Sequence, residues 1–459
     1  MKQLTFILLI LVFHWTWAQT DSVLTYEQFI QQVLNHHPLT HQADLAEVMG
    51  KAKRLKAYGG FEPKLEYSTS QKDFDDKNYY LLRSGQVKIP SWFGLSFQGG
   101  IDNNQGVYLN PENNTSLSDL WYAGVQLELG NGLFIDERRA TLKKGKIAYE
   151  ASQLKRKIMR NELVLEASTA YWNWQQAYLN NQVYVEAIKN AQERYRSTIS
   201  MVKFGDKPAI DTVEVSIQLQ NRQLSLIQTE LVLQNARQKM EIYLWQEGFV
   251  PLEVNNAVPQ LNAFDNMDVN TFYTQVLVDT FVQQHPYFVL NELQTKEKEV
   301  DLRLKKEQLK PTVSLKYNAL TSDPGDVILP MNNYTWGAII SYPILSLKAR
   351  GDIKLGKAEL ENQSLNTQWI AQKLNYELAA SLNKFQAALR QFELMEANLA
   401  NYKTLYQSEV KLFNAGESSL FMVNSREKSY IDAQVKRNEY FAKVSLLRNE
   451  LDYQFMQVD

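Results

Sequence analysis

Two stretches of this chain, residues 146–204 and 357–415, contain neither glycine nor proline, and glycine bounds each of them at both ends. The bounding pairs, Gly145 with Gly356 and Gly205 with Gly416, stand 211 residues apart. The same offset relates Arg139 to Arg350, Lys146 to Lys357, Arg237 to Arg448, Glu241 to Asp452 and Gln246 to Gln457. Upstream, His37-Pro38 with Pro63 matches His285-Pro286 with Pro311 at an offset of 248. An ordered series of this kind is an internal duplication. The two offsets differ by 37, so the first copy carries about that many extra residues, which fall between Ser68 and Leu120.

An uninterrupted run of this length reads as one very long helix. Leu163, Ala167, Ala170, Trp174, Ala177, Asn181, Tyr184, Ile188, Ala191 and Tyr195 recur at alternating steps of four and three, the seam of packed helices. A second line, Leu165, Thr169, Trp172, Gln176, Leu179 and Val183, lies beside it. Val213, Ile217, Gln220, Leu224, Ile227 and Leu231 continue the spacing beyond the break. Most helix stability comes from packing, so two seams imply two neighbours, in a cylinder of helices or an ordinary bundle. Gly205 and Gly416 suit the left-handed residue that ends a helix, and Pro208 and Ser418 or Ser419 suit a new start. Each break reads as the tip of an antiparallel helical hairpin.

Six segments alternate as half-apolar strands do. Leu65, Tyr67 and Thr69 oppose Lys64, Glu66 and Ser68. Phe93, Leu95, Phe97 and Ile101 oppose Gly94, Ser96 and Gln98. Trp121 to Leu129, Val313 to Ala319 and Tyr334 to Tyr342 behave alike, and 79–89 alternates less cleanly. Aromatics cluster near segment ends at Tyr79, Tyr80, Trp92, Trp121, Tyr334 and Tyr342, as in a membrane barrel. Such barrels need at least eight strands, so one copy cannot close a pore and several must share one.

The address agrees. Lys2, the apolar run Phe6–Phe13, and Thr16 and Ala18 before Gln19 read as a secretory signal peptide. The chain has no cysteine to form disulfides or take a lipid, and no run of 18 apolar residues to span a membrane as a helix. A net charge of −2 without basic runs gives no support to a nucleic-acid partner.

The duplicated His-Pro…Pro helices, the alternating strands, "LFIDERRA" (133–140) leading into a long helix, and the tip glycines together resemble the TolC family of outer-membrane channels. That resemblance implies an α+β membrane protein. Its duplicated chain forms, as a trimer, an outer-membrane β-barrel continued by a long periplasmic α-helical barrel. Each family chain gives four strands to twelve. The implied role is the outer-membrane component of a tripartite efflux or type I secretion system. It is a passive homotrimeric duct set in outer-membrane lipid, neither an enzyme nor a cofactor protein. It docks an inner-membrane transporter through a periplasmic adaptor. The resemblance places docking at the tips, Phe204 and Gly205 with Phe413 and Gly416. The family's acidic entrance ring falls on Met422 and Ser425 here, so Asp211 and Glu214 are the candidates for entrance charge and gating. Asp211 matches a family gating carboxylate whose partners are replaced by Phe413 and Ser418.

The organisation expected is a signal peptide (1–18), first-copy helices (19–60), strands with an extra hairpin (61–130) and a helical hairpin (131–247) with its tip near 204–209. A linker (248–270) follows, then second-copy helices (271–310), strands (311–343) and a hairpin (344–459) with its tip near 413–419. The insert either adds strands to the barrel, giving a trimer eighteen, or lies outside it. His37 and His41 stand four apart, a ligand spacing, but no third ligand is evident and His37 recurs as His285, which favours capping or packing. The rival readings are a soluble periplasmic coiled-coil scaffold and an exported enzyme built on the histidines.

Overall fold

The computed structural model describes residues 23–115, 119–130, 132, 134–254, 257–261, 278–323, 325 and 332–456. The signal peptide and much of the 248–270 linker lie outside the described residues. The elements in order are α1 (Tyr26–His36), α2 (Pro38–Tyr58), β1 (Lys64–Phe74), β2 (Lys77–Pro90), β3 (Leu95–Gln105), β4 (Leu120–Gly130), α3 (Glu137–Lys203) and α4 (Ile210–Glu241). There follow α5 (Val278–Gln284), α6 (Pro286–Glu307), β5 (Thr312–Thr321), β6 (Tyr334–Ser341), α7 (Leu347–Asn414) and α8 (Leu420–Gln454). With 67 and 68 residues, α3 and α7 are each on the order of 100 Å long at 1.5 Å per residue.

The chain divides into two compact units, one of Met1–His41, Asn161–Thr274 and Ala380–Gln457, the other of Gln42–Arg160, Gln275–Ala379 and Val458–Asp459. The first unit is helical. Its core gathers Phe29 and Val33 of α1, Leu163, Ala167, Tyr171 and Trp174 of α3, and Met240 and Leu244 at the end of α4. Thr25 caps α1 with a reciprocal box, its hydroxyl accepting from the Gln28 amide at 3.1 Å and its own amide donating to the Gln28 side chain at 3.2 Å. The phenolic hydroxyls are bonded: Tyr26 to Ser168 at 2.7 Å and Tyr171 to the Leu24 carbonyl at 2.9 Å. Burial pushes the Tyr26 hydroxyl up to about 12 and raises Tyr171 as well.

The expected seam is buried at Leu163, Ala167, Trp174, Ala177, Asn181 and Ala191. Past Asn181 the buried line runs through Ala187, Ala191 and Thr198 rather than Ile188 and Tyr195. Ala191 and Thr198 keep the expected heptad register, and only the intervening row moves, from Ile188 to the smaller Ala187. The described part of the linker is tied down by short pairings and core contacts. Val250–Pro251 pairs with Trp245–Gln246, Val258–Pro259 pairs with Val23–Leu24, and Leu252, Val254 and Ala257 pack on the core.

The second unit holds the sheet and the helices that lead into it. All six strands form one antiparallel sheet in the order β6-β5-β4-β3-β2-β1, so β2 and β3 lie inside it and β1 and β6 form its edges. The segment expected from Phe93 begins as strand only at Leu95, because Gly94 turns the chain at φ +94°. Asp136, from the "LFIDERRA" stretch, caps α3. Its carboxylate accepts from the Arg139 amide at 2.8 Å and from the Arg138 and Arg139 side chains. Burial alone would raise this carboxyl, but the Arg139 amide and guanidinium hold it below its usual value. Among the described residues no helix is long and apolar enough to cross a membrane.

Candidate functional site

Strand register sorts the sheet into two faces of opposite chemistry. Tyr334, Ala319, Ala123, Gly99, Val87 and Leu65 form one line across all six strands. Trp336, Tyr317, Val125, Phe97 and Ile89 form the next. The band ends where Thr69, Arg83 and Asn103 pair across β1–β3. This apolar face is the open one: Leu65 is 80% exposed, Trp336 70% and Ile340 73%.

The opposite face carries the line Thr335, Asn318, Gly124, Gln98, Lys88 and Lys64, with Ile339, Leu320, Leu120 and Leu82 as apolar exceptions. Its side chains bond across strands. Gln98 donates to Asn318 at 2.6 Å, Gln86 to Glu66 at 2.7 Å, Lys88 to Gln126 at 2.9 Å and Ser84 to Asp102 at 2.6 Å. The Gln98–Asn318 bond passes over Gly124, where a Cβ would lie 2.2 Å from the Asn318 oxygen. Ser96, Gln98 and Asn318 are buried. A soluble sheet hides its apolar face; in the inner strands of this one these buried side chains lie on the polar face, as in a wall between lipid and water.

The helical tips are in the first unit. Both end in the same Schellman motif. Asp206 N–H bonds Met201 O at 2.9 Å and Gly205 N–H bonds Val202 O at 3.1 Å; Glu417 to Leu412 and Gly416 to Phe413 repeat this at 2.9 and 3.0 Å. Both glycines have φ of +80°. The restarts differ. Ser419 caps α8 by accepting from the Met422 amide at 3.3 Å, whereas α4 begins at Ile210 behind Ala209, with backbone turns through Pro208 and no side-chain cap. Phe204 is 76% exposed, Phe413 is half-buried, and the Lys207 ammonium sits 4.7 Å from the Phe413 ring centre. With Ile210, Val213, Leu412 and Phe421 also exposed, the tips carry open apolar surface.

Just inside the tips a buried ion cluster joins α3, α4, α7 and α8. Arg194 clasps Glu427 with two bonds, 2.8 and 2.9 Å, and donates to Asn424 at 2.9 Å and Tyr406 at 3.2 Å. Arg222 lies 4.0 Å from Glu427. Burial disfavours the Arg194 charge, but Glu427 more than offsets it and holds the guanidinium above its usual value. Glu214 belongs to this cluster, accepting from the Asn424 side chain at 2.8 Å, while Asp211 is half-buried in the first turn of α4. Ser418, at the family partner position for Asp211, bonds Glu409 instead. Arg194, Tyr406, Asn424 and Glu427 were not singled out from the sequence. One signal existed: Arg194 stands at seam spacing among Ala187, Ala191 and Thr198, a charge in a row of small residues.

The duplicated histidines act as caps. His37 Nδ1 accepts from the Leu39 amide at 3.1 Å and His285 Nδ1 from the Tyr287 amide at 3.3 Å. Burial pushes the His37 imidazole below its usual value. Among the described residues no group of three or more His, Cys, Asp or Glu could hold a metal ion.

A six-stranded sheet with an open apolar face and two long helical hairpins is a fold shared with solved outer-membrane channels. Residues 95–244 match the family described as Outer membrane efflux protein. No curated protein matches the chain. Solved structures do. The CmeC outer membrane channel of Campylobacter jejuni aligns with a TM-score of 0.66 at 16% identity, over 94% of this chain and 85% of that one. The open state of the Neisseria gonorrhoeae MtrE outer membrane channel aligns at 0.64 and 13%, over 94% and 88%. The outer membrane protein VceC of Vibrio cholerae aligns at 0.67 and 11%, over 94% and 95%. The TolC-like resemblance and the mixed helix-and-sheet fold class are borne out. The expected address, the outer membrane with a periplasmic helical extension, agrees with the family matched over residues 95–244 and with the outer-membrane channels whose fold aligns.

Proposed function

We infer that the chain is the passive outer-membrane duct of a tripartite efflux or type I secretion system. It works as a homotrimer that meets an inner-membrane transporter through a periplasmic adaptor. The observation that carries this reading is the inverted sheet, apolar side open and polar side covered on its inner strands, with two unjoined edges. Open edges are not stable in lipid, so other copies must close the ring. The α4 seam supports the same conclusion. Ile217, Leu224, Ile227 and Leu231 keep heptad spacing yet are 50–66% exposed, an interface with nothing packed on it in one copy.

Each copy of the duplication supplies helices, strands and a hairpin, with the boundaries expected above. Adaptor docking falls to the exposed apolar tips around Phe204, Gly205, Phe413 and Gly416. Asp211 supplies charge at the periplasmic entrance. Glu214 acts there through the Arg194–Glu427 cluster. No residue is assigned to catalysis and no cofactor is required.

The test is extraction followed by mass measurement and planar-bilayer recording. The expected result is release from membranes only with detergent, a trimer mass, and single-channel conductance. A monomer in the soluble extract, with no conductance, would instead establish a periplasmic coiled-coil scaffold.

A further inference from the structure

We propose that the inserted hairpin β2–β3 is a full part of the membrane wall, so that three copies close an eighteen-stranded barrel in which β1 of each copy pairs with β6 of the next. This step rests on the trimeric channel reading above.

The position of the hairpin is the first reason. The strand neighbour of β1 in the sheet is β2, in register from Lys64 with Lys88 to Lys72 with Tyr80, with a bulge before the last two pairs. Were β2 and β3 moved out of the wall, β1 would lose that neighbour and β4 would lose one side. Face chemistry is the second reason. The apolar line from Tyr334 to Leu65 passes through Gly99 and Val87 without changing sides, and the polar line from Thr335 to Lys64 passes through Gln98 and Lys88. Because a slip of one residue would exchange the faces, this continuity across two added strands is a strong constraint. Bonding on the polar face also crosses the insert, since Lys88 of β2 reaches Gln126 of β4 and Gln98 of β3 reaches Asn318 of β5. The strands are long enough: β2 has 14 residues and β3 has 11, against roughly 9–11 for a tilted membrane strand. The surplus in β2 carries Tyr79 and Tyr80 and ends at a turn with Asp75 and Asp76 at φ +55° and +57°.

Parity completes the case. Six alternating strands leave β1 and β6 running in opposite senses, so a head-to-tail junction between copies is antiparallel and the ring closes without a mismatched seam. Both edges are exposed along their whole length. Barrel diameter grows roughly linearly with strand number, so this mouth is about half as wide again as a twelve-stranded one.

The chain contains no cysteine, so introduced thiols report cleanly. Single variants Val87→Cys and Phe97→Cys test the apolar face of the insert, and Ser84→Cys tests its polar face. In reconstituted vesicles, the first two should react with a water-soluble maleimide at least about tenfold more slowly than Ser84→Cys, and should be taken up by a lipid-soluble one. Double variants then place Ser68→Cys on β1 against cysteines at Thr335, Gly337, Ile339 and Ser341 on β6. At least one pair should give a disulfide-linked trimer. A conducting trimer whose insert reacts with the aqueous reagent on both faces, with no β1–β6 cross-link, would overturn the eighteen-stranded wall and leave the channel reading standing. A protein that never enters lipid would sink both.

Discussion

Glu427 is where a single atom exchange should cost most. Its carboxylate receives two bonds from Arg194, one from Tyr406, and lies near Arg222. Glu427→Gln leaves both guanidinium groups under-compensated in a buried place, and should lower stability by about 3 kcal/mol. A shift in denaturant midpoint by circular dichroism would measure it. At the tips the cost has a different origin. Nothing lies within 4 Å of a Cβ added at Gly205 or Gly416, so only the positive φ is penalised. Gly205→Ala and Gly416→Ala should each cost about 1 kcal/mol and match one another closely, read by the same assay. His37 adds a pH dependence. Its cap needs a neutral imidazole, and its folded pKa lies below the unfolded value near 6.5. Above that value both states are neutral and the cap is intact. As pH falls below it the unfolded chain takes up the proton first, so stability declines. Melting should therefore shift to lower temperature between pH 7.5 and 5.5, and His37→Asn should remove part of that shift.

Among the elements, α4 makes the sharpest claim, because its heptad line has no cover in one copy. Ile227→Asp places a charge where another copy should pack. The expected outcome is loss of the trimer on size-exclusion chromatography in detergent, with helix content retained. Elements of this kind were readable from spacing alone. The runs without glycine or proline became α3 and α7, and six alternating segments became six strands in one sheet. Their alternation survives because a face set against lipid needs the same period as a face set against a core. The tip cluster was less readable. Arg194, Tyr406 and Glu427 are far apart in sequence and meet only when four helices converge, and no local rule couples them. The short pairings of the linker were hidden for a related reason: Val258–Pro259 joins Val23–Leu24, a partner more than 200 residues away. The place of the extra hairpin was open because alternation gives a strand's faces, not its neighbours.

The duplication did not make two equal halves. The first copy supplies four strands and the second only two, so the sheet has unlike borders, an 11-residue β1 and an 8-residue β6. Joined like to like, β1 antiparallel to β1, two copies would point in opposite directions, so copies that share one orientation must join β1 to β6 by rotation in one sense. A chain deprived of β6 could accept one neighbour and offer none. Co-expressed with the intact protein, such a fragment should poison assembly out of proportion to its amount, because one defective member spoils every ring it enters.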